Sequence, residues 1–214
     1  MSEQQISKLV GALTEHQRHF GKMPTDDRQW VIQNTEAAII LFADVVKNRG
    51  RIEVKKLLER LSITIALPTI RDFKAVEHFV VDMSSSAKVK ISGLGDNFET
   101  HFLPRVERDE VAAEELAVYK LLERAYDPAI ITALGGEAKV EITLGQFFAA
   151  FAKQPNGEKG ALLTNGYGSV GYIRGIKRVL WAVSGSWSVG GWSFEAFPLG
   201  YPYRWDGGDQ FLSR

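Results

Sequence analysis

The sequence predicts an α+β protein in which helices come first and strands come last. Three observations carry that expectation. Apolar residues recur at helical spacing through the first 61 residues, β-branched alternation takes over soon after, and beyond residue 155 no helical period is found at all. The expected division is a helical N-terminal part over 1–61 and an α+β body over 62–214, with 155–214 as its β-rich C-terminal segment.

Ser2 and Gln5 have the spacing of a capping box, and Ile6, Leu9, Val10 and Leu13 follow on one face until Gly21 and Pro24 interrupt. A second helix is predicted from Asp26, with Trp30, Val31, Ala38, Ile39, Phe42, Val45 and Val46 apolar. It ends at "KNRG", where basic residues meet the last carbonyls and Gly50 suits a left-handed cap. "EVKKLLERL" (53–61) continues helical, and "SITIAL" before Pro68 reads as a strand.

"EHFVVDM" and "AKVKIS" are expected as two strands, the second with Val89 and Ile91 inward and Lys88 and Lys90 outward. Asp96 and Glu99 are spaced as a capping box for a short helix that Pro104 ends. "RDEVAAEELAVYKLLERAYDP" (108–128) reads as a longer helix with Val111, Val118, Leu121, Leu122 and Ala125 on one face. "AKVEIT" (138–143) alternates as a strand would. Thr143 and Gln146 cap "LGQFFAAFAKQ", whose Phe147, Phe148 and Phe151 are expected in the core, and "PNGEKG" (155–160) is a loop.

The 214 residues are 45% hydrophobic and 24% charged, an ordinary globular composition. Acidic and basic residues balance at 26 each, so no global field draws the chain to nucleic acid. No cysteine is present, which removes disulfides, thiolate nucleophiles and Cys-ligated zinc. The polar start "MSEQQISKLVGALTEHQRHF" lacks the apolar run of a signal peptide, and no later run is long enough to span a bilayer. A cytoplasmic location, or export by a route the sequence does not show, is the expectation.

Catalytic motifs are weak. "GYGSVG" matches G-x-G-x-x-G through Gly166, Gly168 and Gly171, but a dinucleotide site needs a helix directly after it, and "YIRGIKRVLWAV" reads as strand, turn and strand. His16 and His19 share a helix face without grouped acidic partners, and His78 and His101 stand apart, so no metal site or general base is expected. Ser184, Ser186, Ser188 and Ser193 have no histidine anywhere in the C-terminal region to complete a triad. The expectation is a protein without catalytic residues, metal or cofactor.

The stretch "GSWSVGGWSFEAFPLGYPYRWDGGDQ" (185–210) is different in kind. Four of the five tryptophans fall at or after Trp181, and no lysine follows Lys177. Trp187, Trp192 and Trp205 are expected to be buried as the frame of a small β region. Ser184, Ser186, Ser188, Ser193, Tyr201, Tyr203, Arg204, Asp206 and Asp209 lie between them, a composition that also suits a binding face. Tyrosine gives rigid contact area there, and serine gives adaptable hydrogen bonds. Ser186, Ser188, Ser193, Tyr201, Tyr203, Arg204, Asp206 and Asp209 are expected to be accessible on one face.

The segment from "LLTNGYGSVGYIRG" through "RWDGGDQFLSR", with "ALGGEAKVEITL" and "NGEKGALLTNGY" upstream, resembles the C-terminal region of a set of uncharacterised bacterial proteins of candidate-phyla type. That set in turn resembles the variable proteins of diversity-generating retroelements, which carry an adenine-mutagenised segment at the end of a C-type-lectin-like fold. The resemblance implies a C-type-lectin-like body over 62–214. Its frame would include Trp187, Trp192, Ala196, Pro202, Trp205 and Gly208. The ligand-binding residues would be Ser184, Ser186, Ser188, Ser193, Phe197, Tyr201, Tyr203, Arg204, Asp206 and Asp209. These ten are all products of mutagenised AAC-type codons. Glu195 is not, and is either a frame position or an exception. The implied function is non-enzymatic display toward a protein or other macromolecular ligand, with no nucleic-acid partner and room for a homo-oligomer. The alternatives are an assembly subunit of a phage or mobile element and, third, a nucleotide-using enzyme built on the Gly166/Gly168/Gly171 turn.

Overall fold

In the computed structural model the chain divides into two units, residues 1–55 and 56–214. The structure describes Thr25, 56–199 and 204–214, so the helices expected over the first 50 residues lie outside the described residues.

The second unit is mixed α+β, dominated by strands. It runs β1 (Leu58–Leu67), β2 (Phe73–Lys74), α1 (Ala75–His78), β3 (Ile91–Leu94), α2 (Asp96–His101), β4 (Val106–Glu107) and β5 (Glu114–Leu121). Then come α3 (Asp127–Ala133), α4 (Glu137–Val140), α5 (Leu144–Phe151), β6 (Ser169–Arg174), β7 (Leu180–Ser188), β8 (Gly191–Pro198) and β9 (Gln210–Ser213). Seven strands form one sheet in the order β1-β5-β9-β6-β7-β8-β3, and β2 pairs with β4 apart from it. Within the large sheet β9 runs parallel to β6, β3 runs parallel to β8, and the remaining pairs are antiparallel.

Alternation along the strands sends side chains into two apolar layers, one on each face. Leu116, Val118, Ile173, Val183, Trp192, Phe194, Ala196 and Leu212 enter one layer, where α2 contributes Phe98 and α5 contributes Phe147 and Phe151. Leu121, Tyr172, Ala182 and Phe211 enter the other, where α3 contributes Ile130 and α4 contributes Val140. The first layer extends across to β8. The second stops near Ala182 and Phe197, so among the described residues no helix packs on the adjoining face of β7 and β8.

Two short polar clusters fix α5. Thr143 Oγ1 accepts from the Gln146 N–H at 3.1 Å while Gln146 Oε1 accepts from the Thr143 N–H at 2.8 Å, the full capping box that the sequence predicts. Glu107 adds a carboxylate at the same helix start, accepting from the Leu144 and Gly145 N–H groups at 3.0 and 2.9 Å.

Several expected elements are corrected. Residues 58–61 belong to β1, so the helix predicted through Leu61 does not reach that far. The helix predicted over 108–128 is instead strand β5 over 114–121. Its Glu, Leu, Ala and Lys favour a helix locally, but pairing on both sides, with β1 and β9, outweighs that preference. "AKVEIT" contains α4 and only a single bridge, Glu141 to Tyr172. Its alternation has another cause, because Val140 packs in one layer and Ile142 in the other. "EHFVVDM" is helical at its start through His78, and of "AKVKIS" only Ile91 and Ser92 lie in a strand, although Val89 and Ile91 are buried as expected. Asp96 is the first residue of α2 rather than its cap, which is Gly95 with no side-chain bond.

Candidate functional site

The candidate site grows from the β7–β8 hairpin. Its register sets Ala182 opposite Phe197, Ser184 opposite Glu195, Ser186 opposite Ser193 and Ser188 opposite Gly191. All of these point to the face of the second apolar layer, which takes in Ala182 and ends at Phe197, short of the residues nearer the hairpin tip. The intervening residues point the other way and are packed, although Trp187, expected to be buried, is only half-buried at the edge of that layer. Gly185 lies so close to Phe151 that a Cβ there would overlap the ring, Trp187 and Trp192 meet edge to face at 5.2 Å, and Trp192 Nε1 donates to the Gln154 carbonyl at 2.9 Å. A two-residue turn joins the strands. Val189 and Gly190 both take positive φ, 52° and 82°, the type I′ arrangement, and Val189 is 93% exposed.

A second wall is the loop at 204–209, fastened from below. Trp205 exchanges backbone hydrogen bonds with Ala125, and its indole Nε1 donates to Asp127 Oδ1 at 2.8 Å. The same oxygen accepts from the Tyr172 hydroxyl at 2.8 Å. Burial raises the Asp127 carboxyl above the ordinary carboxylate range, while the two donors favour its charged form. Burial, followed by the Asp127 charge, pushes the Tyr172 hydroxyl up as well, so it remains a donor. Asp209 works in a similar way at the turn itself. Its Oδ1 accepts from the Gly168 N–H at 2.8 Å and its Oδ2 from the Asp206 N–H at 2.9 Å, and burial raises its carboxyl too. Asp206 is paired with Arg124 at 2.5 Å.

The third wall is the loop 165–168 that leads into β6. Together the three enclose a concavity of about 440 Å³ lined by Ser184, Ser186, Glu195, Phe197, Trp205, Asp206, Asp209 and that loop. Five expected ligand-binding residues, Ser184, Ser186, Phe197, Asp206 and Asp209, are therefore brought together. Ser188 and Ser193 share the same sheet face toward the hairpin tip, without lining the concavity. Arg204 lies apart, with its guanidinium 4.7 Å from the ring centre of Tyr126. Tyr201 and Tyr203 are outside the described residues. Asp209 corrects the expectation of accessibility: it is only 6% exposed, because both its oxygens are engaged in closing the turn.

Glu195, Asn165 and Tyr167 join the site although sequence reasoning did not place them there. Glu195 is exposed opposite Ser184, and burial, then the charge of Asp96, raises its carboxyl. Strand alternation from Ser193 to Phe197 was the signal that could have found it. Asp127 also went unremarked, since its role depends on contacts with Tyr172 and Trp205, 45 and 78 residues away.

Chemically the concavity offers hydroxyls, carboxylates and aromatic rings, and among the described residues its lining contains no histidine, lysine or arginine. The Gly166-x-Gly168-x-x-Gly171 segment leads into β6, not into a helix, so the helix N-terminus that a dinucleotide site needs directly after it is missing. Gly171 is enclosed by Ile142 and Phe147. Among the described residues no group of three or more His, Asp or Glu is arranged to hold a metal ion, and no helix is long and apolar enough to cross a membrane. Compared with known proteins, the chain matches no family model, no curated protein and no solved structure.

Proposed function

We propose that this chain is a non-enzymatic binding protein that displays side chains from β7, β8 and the 204–209 loop on a fixed frame, as the variable proteins of diversity-generating retroelements do on a C-type-lectin-like body. The observation that supports this reading is the division of labour within one hairpin. Ser184, Ser186, Ser188, Ser193 and Phe197, all reachable from mutagenised AAC-type codons, occupy the face that no helix of the described residues covers, while Gly185, Trp187, Trp192, Phe194 and Ala196 belong to or pack against the other layer. Side chains on the open face can change with little effect on packing, and those behind it cannot.

Two measurements test the proposal. Sequencing the DNA around the gene should find a reverse transcriptase and a second, template copy of the segment encoding about residues 180–210. In the full chain, exchanging Ser186, Ser188 and Ser193 for another set of small, tyrosine and aspartate residues should leave the melting temperature within a few degrees and the oligomeric state unchanged. Loss of assembly on the exchange, seen by light scattering, would point to an assembly subunit whose tail is matched to a neighbour.

A further inference from the structure

We propose that a second hollow, beside β5 and β9, binds an N-acylated amino acid through its peptide group and its carboxylate, the chemistry found at the C-terminus of a peptide. It measures about 480 Å³, within the range of ligand clefts, and its lining includes Lys120, Leu163, Asn165, Tyr167, Gly208 and Gln210. Asn165 and Tyr167 are shared with the first concavity, but no residue of β7 or β8 takes part, so the assignment is separate from the display reading.

Gln210 marks the hollow as a site. It is only 6% exposed, and its Oε1 is buried without a hydrogen-bond partner among the described residues. Buried side-chain oxygens are as a rule satisfied, so an unpaired one that lines a hollow suits a donor brought from outside the chain. The nearby polar groups are engaged elsewhere. Ser169, its register partner on β6, accepts from the Leu163 N–H at 3.3 Å, and Asn165 Oδ1 accepts from the Tyr167 N–H at 3.4 Å. A side-chain amide holds one acceptor and one donor group, and a half-turn about its last torsion exchanges them. A peptide unit, with its own N–H and C=O, answers both.

Lys120 supplies the charge. It stands directly opposite Gln210 in the β5–β9 register, so the two side chains share a face with Cβ atoms about 5 Å apart. Glu59 is opposite Lys120 on β1, yet Lys120 makes no ion pair among the described residues, and among them the lining includes no carboxylate. An anion is therefore favoured over a cation. A single ammonium beside a neutral amide matches a singly charged carboxylate next to a peptide unit, and one carbon separates those groups in an N-acylated amino acid. The long, flexible lysine stem spans the remaining distance. Leu163 and Tyr167 offer apolar area for the last side chain. Tyr167 is held in place there, because its ring lies so close to Gly208 that a Cβ at that glycine would be 3.1 Å from it.

The test is titration of the full chain with N-acetylglycylglycine, followed by amide chemical shifts. Saturable shifts are expected at Lys120, Tyr167 and Gly208 and at the side-chain amide of Gln210. The carboxamide of the same dipeptide, which is uncharged, should bind at least about tenfold more weakly. Lys120→Gln should abolish that preference, whereas Lys177→Gln, in the exposed turn after β6, should keep it. Gln210→Met should remove binding of both probes without lowering the melting temperature, because the unpaired amide goes with it. If that variant does not fold, Lys120→Gln and the two probes decide alone. Tighter binding of an acetylated pentapeptide acid than of N-acetylglycine would assign the ligand to a protein terminus, and equal binding would assign it to a free acylated amino acid; either upholds the site. Equal binding of acid and carboxamide by the parent, or undiminished binding by folded Gln210→Met, would overturn it. Absence of shifts at about ten millimolar would overturn it as well, and would leave water as the partner of Gln210.

Discussion

Trp205 Nε1 lies 2.8 Å from Asp127 Oδ1, and this bond ties the loop bearing Asp206 and Asp209 to the first residue of α3. The 204–209 loop thus has a buried polar root as well as an apolar one. Replacing Trp205 with phenylalanine keeps most of the ring packing but removes the donor. The variant should lose about 1–3 kcal/mol, the usual result of removing one partner from a buried hydrogen bond to a charged group, as measured by urea melts.

Asp127 should also leave a signature in the pH dependence of stability. Its carboxyl is raised in the folded chain, mainly by burial, so the folded state holds the proton more tightly than the unfolded state does. Its contribution is therefore full below the ordinary carboxylate value of about 4 and is lost as pH rises through the raised folded value. Asp127→Asn does not titrate. Compared with the parent, it should gain stability between about pH 3 and pH 7, and a constant difference across that range would refute the assignment.

The packed and open sides of the hairpin should differ sharply on substitution. Trp192→Ala removes a fully buried indole and should cost about 3–5 kcal/mol. Gly185→Ala drives a methyl into the Phe151 ring and should cost roughly 1–3 kcal/mol. Ser186→Ala, on the open side, should stay within about 1 kcal/mol of the parent. Denaturant melts of the three variants measure this directly, and equal losses at all three would remove the distinction between frame and filler.

Val189 is a β-branched residue at φ 52° with 93% of its surface exposed, a conformation that asparagine or glycine adopts far more readily. Val189→Asn should raise stability by about 1 kcal/mol without altering the hairpin register. A neutral or destabilising result would show that the turn relaxes around valine at no cost.

Much of this architecture was legible before folding because it is local. The capping box at Thr143 and Gln146, the strands after residue 155 and the burial of Trp192 and Trp205 follow from short-range chemistry and are present. β5 was not legible. Its helix-forming residues become a strand only because β1 and β9, one before it and one about ninety residues after it, pair along its two edges. The same holds for the site. Ser184, Ser186 and Phe197 could be grouped by alternation along neighbouring strands, but the partners of Asp127 and the withdrawal of Arg204 toward Tyr126 depend on contacts that no local spacing encodes.

The position of β9 also sets an order of events during synthesis. Residues 210–213 follow every other described strand in sequence, yet among the described residues it is they that link the half of the sheet containing β1 and β5 to the half containing β6, β7, β8 and β3. Until they leave the ribosome the two halves of the sheet cannot join, so its completion waits for β9. Any sequence carried between Ser184 and Asp206 is therefore already translated when the sheet closes. A change there that misdirects the chain would prevent closure of the entire sheet and expose the molecule to degradation, so the sheet itself screens substitutions in that segment.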